Sequence, residues 1–328
     1  MNRSRLERAP RPLLSVIVCC YNEAKVLPAF HRRLMAVLTT LSIRFELLYV
    51  NDGSRDESLV LLTQFCQVTG VHCLNLSRNF GKEAAMVAGI DYARGDAVLF
   101  IDADLQDPPE LIPSMVHHWL GGRDIVNMQR RSRVSDASSK RISAHLYYKL
   151  MGCLVDRFYV PPDVSDFRLI GPAPLAALRA MPERTRFMKG LIGWLGFDTI
   201  EVPYDREPRS AGQTKWGPFA LVDLGIEGVL AVSRKPLRWF SLLSLLVFIA
   251  TLAFIIQQFS VETLTTHHFL LGIAAFIALG TAMIGEYLGA TLSEVRQRPI
   301  YLLNNQLGEI RRQAETPDTP PSREQETT

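Results

Sequence analysis

An α/β fold on a largely parallel sheet, followed by two membrane-spanning helices, is what this 328-residue sequence predicts, on three observations. Between Leu13 and Arg130, short continuous apolar runs alternate with segments of helical periodicity. Strands that are apolar throughout belong to sheets covered on both faces. Further on, two apolar stretches, the first uncharged and the second with Glu286 near one interface, reach the roughly twenty residues that a bilayer requires. Third, the run Ala97 to Ile101 delivers the chain directly into Asp102 and Asp104, with Asp107 close behind. Open α/β sheets bind ligands beyond the carboxyl ends of their strands, so these acids mark a candidate site.

The elements follow in order. "LLSVIVCCY", from Leu13, reads as a buried strand. The next segment places Val26, Leu27, Phe30, Leu34, Val37, Leu38 and Leu41 on one helical face, with Asn22 as its N-cap. "ELLYV" is a second strand, followed by a helix from about Asp56 to Thr69. "VHCLNLS", a helix from Lys82 to Arg94, "DAVLFIDAD", a helix from Glu110 to Leu120 and "DIVNMQR" complete the alternation. From Arg131 to about Ser233 the pattern loosens and becomes rich in Arg, Lys, Pro and Gly. Within it, Pro218 to Val232 has the amphipathic pattern of a helix at the membrane surface.

The first membrane stretch runs from Trp239 to Phe259, and the second from Phe269 to about Leu288. Arg234, Lys235 and Arg238 precede the pair, and Arg296, Arg298, Arg311 and Arg312 follow it. The connection "SVETLTTHH" has no Lys or Arg, so the positive-inside rule places both termini and the α/β domain in the cytoplasm. Gly285 and Gly289 form a small-xxx-small pair that could pack helices. The expected organisation is a basic tail over 1–12, an α/β domain over 13–217 and an interfacial helix over 218–235. The membrane pair spans 236–295, with helices at about 239–259 and 269–288, and a cytoplasmic segment over 296–328 ends in a disordered tail.

Composition agrees. Hydrophobic content of 48% is high for a purely soluble protein, and a net charge of +3 is too small to imply nucleic acid. The five cysteines have no metal-ligand spacing and read as reduced thiols. The first residues are polar and basic, with no apolar core of signal-peptide type behind them.

Asp102 and Asp104 form D-x-D at the end of a buried strand. Two carboxylates so spaced can approach a hard divalent cation through oxygen, and such a cation can bridge a diphosphate and neutralise it as it leaves. Gln106 adds a neutral oxygen nearby, while Asp107, just before "PPE", reads as the cap of the next helix. In "VNDGSRDES", Asp52 follows a second strand in a turn made by Gly53 and Ser54. Its carboxylate could accept an imide N–H or pair with a ribose hydroxyl, and Tyr21, closing the first strand, could stack on a base. Arg130, Arg131, Arg133, Lys140, Arg141, Arg168, Arg209 and Lys215 supply cations suited to a phosphate.

"SVIVCCYNE", "VNDGSRDES", "LSRNFGKEAAMVAG", "FIDADLQDPPE", "DFRLI", "MPERTRFMKG", "SAGQTKW" and "GEYLG" followed by "RPIY" occur in this order. Together they resemble the family 2 glycosyltransferases that load a sugar onto polyprenyl phosphate, most nearly the bacterial bactoprenol glucosyltransferases of O-antigen modification. The resemblance implies a GT-A fold, a nucleotide sugar such as UDP-glucose, Mg²⁺ or Mn²⁺, undecaprenyl phosphate as acceptor and inversion at the anomeric carbon. It implies a multi-pass protein of the bacterial inner membrane and assembly as tetramers, with no role for nucleic acid. By resemblance, Tyr21, Glu23, Asp52, Asp102 and Arg209 line the nucleotide-sugar pocket. Asp102, Asp104 and Gln106 handle metal and diphosphate, and Asp102, Asp104 and Asp166 are the catalytic acids. Arg130, Arg133, Lys140, Arg141, Arg168, Arg209 and Lys215 face the acceptor phosphate. Asp166 either holds Arg168 or touches the sugar, with a structural role open.

Two positions depart from the family pattern: Cys19 or Cys20 stands where Pro is common, and Asn51 replaces the first acid of the D-D-G-S turn. The readings that compete are the same transfer with mannose, galactose or an aminoarabinose-type sugar, and a non-catalytic nucleotide-binding membrane regulator. A processive synthase is disfavoured by the lack of a Q-x-x-R-W motif and by only two spans.

Overall fold

The computed structural model describes residues 12–131, 164–183, 186–207, 235–257 and 264–307. Their strands are β1 (Leu13–Cys20), β2 (Arg44–Asn51), β3 (Val71–Leu76), β4 (Ala97–Phe100), β5 (Ile125–Arg130), β6 (Val164–Ile170), β7 (Thr199–Tyr204) and β8 (Leu303–Leu307). Their helices are α1 (Leu27–Leu38), α2 (Ser58–Phe65), α3 (Lys82–Tyr92), α4 (Ile112–Leu120), α5 (Pro172–Ala180), α6 (Met188–Leu195), α7 (Lys235–Gln257) and α8 (Leu264–Val295).

Among the described residues the strands form one sheet in the order β7-β5-β6-β4-β1-β2-β3-β8. The pairs β1–β2, β1–β4, β2–β3 and β5–β7 are parallel; β4–β6, β5–β6 and β3–β8 are antiparallel. Six strands therefore run one way, and β6 and β8 run against them. The five apolar strands of the alternation are all present. The pattern does not show that "DFRLI" lies in a strand inserted between β4 and β5, nor that Leu303–Leu307 returns to pair with β3.

Both sheet faces are covered, which is why the strands are apolar throughout. On one face Leu27, Phe30, Leu34, Met115 and Trp119 pack on Val16, Val18, Tyr49, Leu99 and Phe167. On the other, Ala85, Ala88, Leu175, Leu178, Met188 and Ile192 pack on Ile17, Leu48, Val98, Phe100 and Ile170. The predicted apolar face of α1 is the buried one, but Asn22 does not cap it. The helix begins at Leu27, and Asn22 instead accepts a hydrogen bond from the Arg55 backbone N–H at 2.8 Å, tying the β1 and β2 turns together.

Helices α7 and α8 contain 23 and 32 residues. Among the described residues one window, Gly272–Gly289, is long and apolar enough to cross a membrane. The helices meet where Phe240 stacks on Phe276 at 5.1 Å, and a Cβ on Gly280 would fall 2.1 Å from the Phe240 ring. The small residue that lets them approach is therefore Gly280; a Cβ on Gly285 or Gly289 would meet nothing within 4 Å of this chain. After α8 the chain re-anchors on the α/β domain: Tyr301 donates to Asp91 at 2.8 Å, and Ser77 N–H donates to the Leu302 carbonyl at 2.8 Å. Of the interfacial helix expected over 218–235, residues 218–234 lie outside the described residues, as do the tails over 1–11 and 308–328, and Lys235 begins α7.

Candidate active site

The carboxyl ends of β1, β2 and β4 converge on one crevice. Antiparallel β6 adds to it from the opposite direction: Phe100 pairs with Arg168, so two residues further along each strand Asp102 faces Asp166. Two carboxylates so placed repel. Lys82 stands between them, its Nζ 2.7 Å from Asp102 Oδ1 and 2.7 Å from Asp166 Oδ2. Burial alone would lower the Lys82 pKa, but the two acids outweigh it and hold the ammonium well above its ordinary value.

Lys82 owes its place to Asp52. The Asp52 carboxylate is 3% exposed and accepts the backbone N–H groups of Phe80 at 2.7 Å and Gly81 at 3.0 Å, in the loop that ends at Lys82. Burial raises the pKa of Asp52 against these two donors. Gly53, at φ +65°, lies beneath the same loop; a Cβ there would fall 2.3 Å from the Arg78 carbonyl carbon. Tyr21 and Glu23 follow directly after β1, and the Glu23 N–H donates to Ser58 Oγ at 2.9 Å. Cys19, near the end of β1, lies within electrostatic reach of Lys82, Asp102, Asp52 and Asp166. Burial keeps it a neutral thiol.

Asp166 also has Lys189 Nζ at 3.5 Å and Arg168 Nη2 at 3.7 Å. Burial opposes its ionisation, but Lys189, Lys82 and Arg168 prevail and hold its carboxyl well below the usual range. Lys189 is the second residue of α6, whose first residue, Met188, donates its backbone N–H to Glu83 Oε2 at 3.1 Å. No side chain of α6's own N-cap residue does this, so Glu83 serves as its cap from α3, where a helix favours negative charge. Burial, and then the charge of Asp166, push Glu83 up to about 7.

A raised carboxyl pKa makes the native state hold a proton that the unfolded chain has released. Stability therefore falls as pH rises from the ordinary 4.5 toward 7. Glu83→Gln is expected to flatten that part of the stability curve and to gain on the parent protein at pH 8 relative to pH 5. Denaturant midpoints at the two values check it, and an unchanged difference would refute it.

The other flank of the crevice holds Asp104, Asp107, Arg130 and Arg206. Asp104 accepts the Gln106 N–H at 3.1 Å and lies 4.0 Å from Arg206 Nη2. Between them Leu105 has φ +59°, a left-handed conformation costly for a branched side chain and found where function demands it. Asp107 caps no helix. It is fully buried, accepts the Tyr204 hydroxyl and has Arg206 Nε at 3.6 Å; burial, then the charge of Asp102, push it up to about 6. Gln106 approaches the Glu207 carbonyl through its amide nitrogen at 3.5 Å.

Asp102 and Asp104 supply two hard oxygen donors. Among the described residues no group of three or more His, Cys, Asp or Glu side chains could hold a metal. The Asp102 and Asp104 carboxylates are nonetheless the kind of oxygen donor pair that a hard cation such as Mg²⁺ takes, its shell being completed by phosphate oxygens and water.

Arg130 and Arg168, read together as phosphate ligands, lie on opposite faces of the sheet. Arg168 shares the face of Asp166 and is 1% exposed, whereas Arg130 ends β5 near Asp107 and Tyr204. Arg133, Lys140, Arg141, Arg209 and Lys215 lie outside the described residues. Lys82, Glu83, Lys189 and Arg206 did not stand out in the sequence. The first three lie in the stretches "LSRNFGKEAAMVAG" and "MPERTRFMKG", but no spacing rule joins Lys82 to an acid 84 positions away.

Residues 15–170 match the model of glycosyl transferase family 2. An uncharacterized glycosyltransferase of Synechocystis is 41% identical over 307 residues, covering 90% of this chain and 96% of that protein. The chain belongs to glycosyltransferase family 2. This glycosyltransferase is also 34% identical to a prophage bactoprenol glucosyl transferase homolog of Escherichia coli, over 88% of the chain and 98% of the relative. A mannosyltransferase of Pyrobaculum calidifontis, solved with GDP-Man and Mn²⁺, is 16% identical with a TM-score of 0.44, over 88% of this chain and 90% of that one. Among the described residues, the α/β domain of the glycosyltransferase is a mixed eight-stranded sheet whose strand ends carry the charged crevice.

Proposed function

We propose that the enzyme transfers a hexose, glucose from UDP-glucose, to undecaprenyl phosphate with inversion at the anomeric carbon. The observation that carries this reading is the bridge Asp102–Lys82–Asp166 at the strand ends of a family 2 chain. It sets an acidic pair beside a fixed cation where a nucleotide diphosphate would depart. The relatives named for bactoprenol glucosyl transfer support the sugar and the lipid.

The nucleotide would occupy the Tyr21, Glu23 and Asp52 side, and its diphosphate would meet Asp102, Asp104 and Lys82. Asp102 and Asp104, with Gln106 beside them, would hold Mg²⁺ or Mn²⁺, which neutralises charge on the leaving diphosphate. A phosphate monoester, with a second pKa near 6, is ionised enough at neutral pH to attack without a strong base. It needs cations to bind and orient it. Arg130 and Arg206 lie near Asp107, and each has a buried Nε with no hydrogen-bond partner among the described residues. They are suited to that task, and by family resemblance Arg133, Lys140, Arg141, Arg209 and Lys215 would share it.

A polyprenyl chain stays in the bilayer, so the crevice must lie at its surface. In this reading α7 and α8 both span the inner membrane, and the chain leaving α8 rejoins the cytoplasmic α/β domain through the contacts of Tyr301 and Leu302. The apolar side chains they expose, among them Leu242, Leu246, Ile277, Leu279 and Leu288, would face lipid or neighbouring subunits in a tetramer.

Purified enzyme in detergent, given several radiolabelled nucleotide sugars, undecaprenyl phosphate and Mg²⁺ or Mn²⁺, tests the reading. Glucose is expected in the lipid product. Label from another hexose alone would change the sugar, and no lipid-linked product from any donor would overturn the proposal. Asp104→Asn is expected to cut turnover by about a hundredfold or more in a folded protein. Full activity in EDTA would refute the metal.

A further inference from the structure

A cavity of about 120 Å³ lies between the sheet and α6, with Asn127, Arg168, Lys189 and Glu201 among its lining residues. It adjoins the catalytic cluster. Val164, Asp166 and Arg168 alternate onto one face of β6, and the two that flank Asp166 line the cavity. Lys189 lines it as well while reaching Asp166 at 3.5 Å.

Two polar atoms in its wall have no partner among the described residues. They are Nε of Arg168, which is 1% exposed, and Oδ1 of Asn127, which is 3% exposed. One can only donate and the other can only accept. Buried polar groups are nearly always satisfied, so a pair of opposite kinds in one cavity defines the ligand they lack. A simple anion would suit Arg168 and Lys189 but would be repelled by the Asn127 oxygen and the Glu201 carboxylate. An apolar group would leave both orphans unmet. A hydroxyl, which donates and accepts at once, meets both. At about 120 Å³ it is smaller than the roughly 150 Å³ that admits benzene, so it has room for one edge of a sugar ring with its hydroxyls and not for a nucleotide or a prenyl chain. Val164, Ile192 and Phe197 offer apolar wall for the C–H face of such a ring.

We propose that this cavity receives one edge of the transferred sugar ring beside Asp166, and that Asn127, Arg168 and Glu201 choose among hexoses by pairing with the hydroxyls on that edge. The proposal rests on the glycosyl-transfer reading above and assigns to it the residues that set sugar preference. A site built to hydrogen-bond a hydroxyl discriminates against the epimer that places it elsewhere, because the site's own polar groups are then left unpaired.

The test compares the parent enzyme with Asn127→Leu and Glu201→Gln, each measured with UDP-glucose, UDP-galactose and free UDP. Each variant is expected to lower kcat/KM for the preferred donor about tenfold or more and to narrow its preference over the epimer. UDP affinity should stay within about twofold, since the cavity excludes the nucleotide. Asn127 lies in the sheet interior, so circular dichroism checks its variant. Glu201, on edge strand β7, provides the second reading if that variant misfolds. Folded variants that keep the parental preference would overturn the cavity assignment alone. A parent enzyme that labels no lipid with any donor would overturn the transfer reading and this proposal with it.

Discussion

Lys82→Met is expected to lower kcat/KM by at least about a hundredfold while leaving a protein that still folds. The substitution keeps most of the side-chain volume and removes the one charge that stands 2.7 Å from both Asp102 and Asp166. Two effects then act together. The acids are left facing each other with Lys189 and Arg168 still beside Asp166, and the donor's diphosphate meets the bare charge of Asp102. Breaking an ion pair by removing one partner costs about 3–5 kcal/mol when it is fully buried. The Lys82 side chain is 36% exposed, so water screens part of the repulsion and a loss nearer about 1–3 kcal/mol is expected. Lys82→Arg keeps the charge but changes its reach, and should recover stability more than turnover. Denaturation midpoints alongside steady-state kinetics check both halves. An active methionine variant would show that Asp102 and Asp166 need no cation between them.

Asp52→Ala should damage the same site from a distance. It removes the acceptor for the Phe80 and Gly81 N–H groups and so frees the loop that delivers Lys82. Two backbone donors left unmet in a partly buried loop cost about 1–3 kcal/mol together. The kinetic effect should exceed the loss of stability, because a catalytic group displaced by about an ångström can cost a hundredfold in rate. If Asp52 contacts only the nucleotide, the alanine variant will raise KM for the donor at unchanged kcat. If it also places Lys82, kcat will fall as well. Asp52→Asn separates the roles further, since it keeps one acceptor oxygen for two donors and should lie between the parent and the alanine variant.

Legibility followed the range of the interaction. The apolar runs and the helical face of α1 answer to burial and periodicity over neighbouring residues, so they could be read directly. Asp102, Asp104 and Asp52 showed themselves because charges at the ends of apolar strands are out of place. Asn22 and Asp107 were misread for one reason: each looks like a local cap, yet each bonds a group brought from elsewhere in the fold, Arg55 for one and Tyr204 for the other. Strand β6 escaped the alternating pattern because it runs antiparallel between two strands that do not touch in sequence.

The chain alone therefore settles which acids gather at the strand ends, that the sheet is covered on both faces, and which family it joins. Those properties rest on hydrophobic pattern and motif order, which are local. Folding decides that Lys82 is shared between acids on β4 and β6, that Glu83 caps the helix carrying Lys189, and that Arg168 and Arg130 part to opposite faces. Each depends on which strand lies beside which, and strand order is a property of packing that no spacing along the chain encodes.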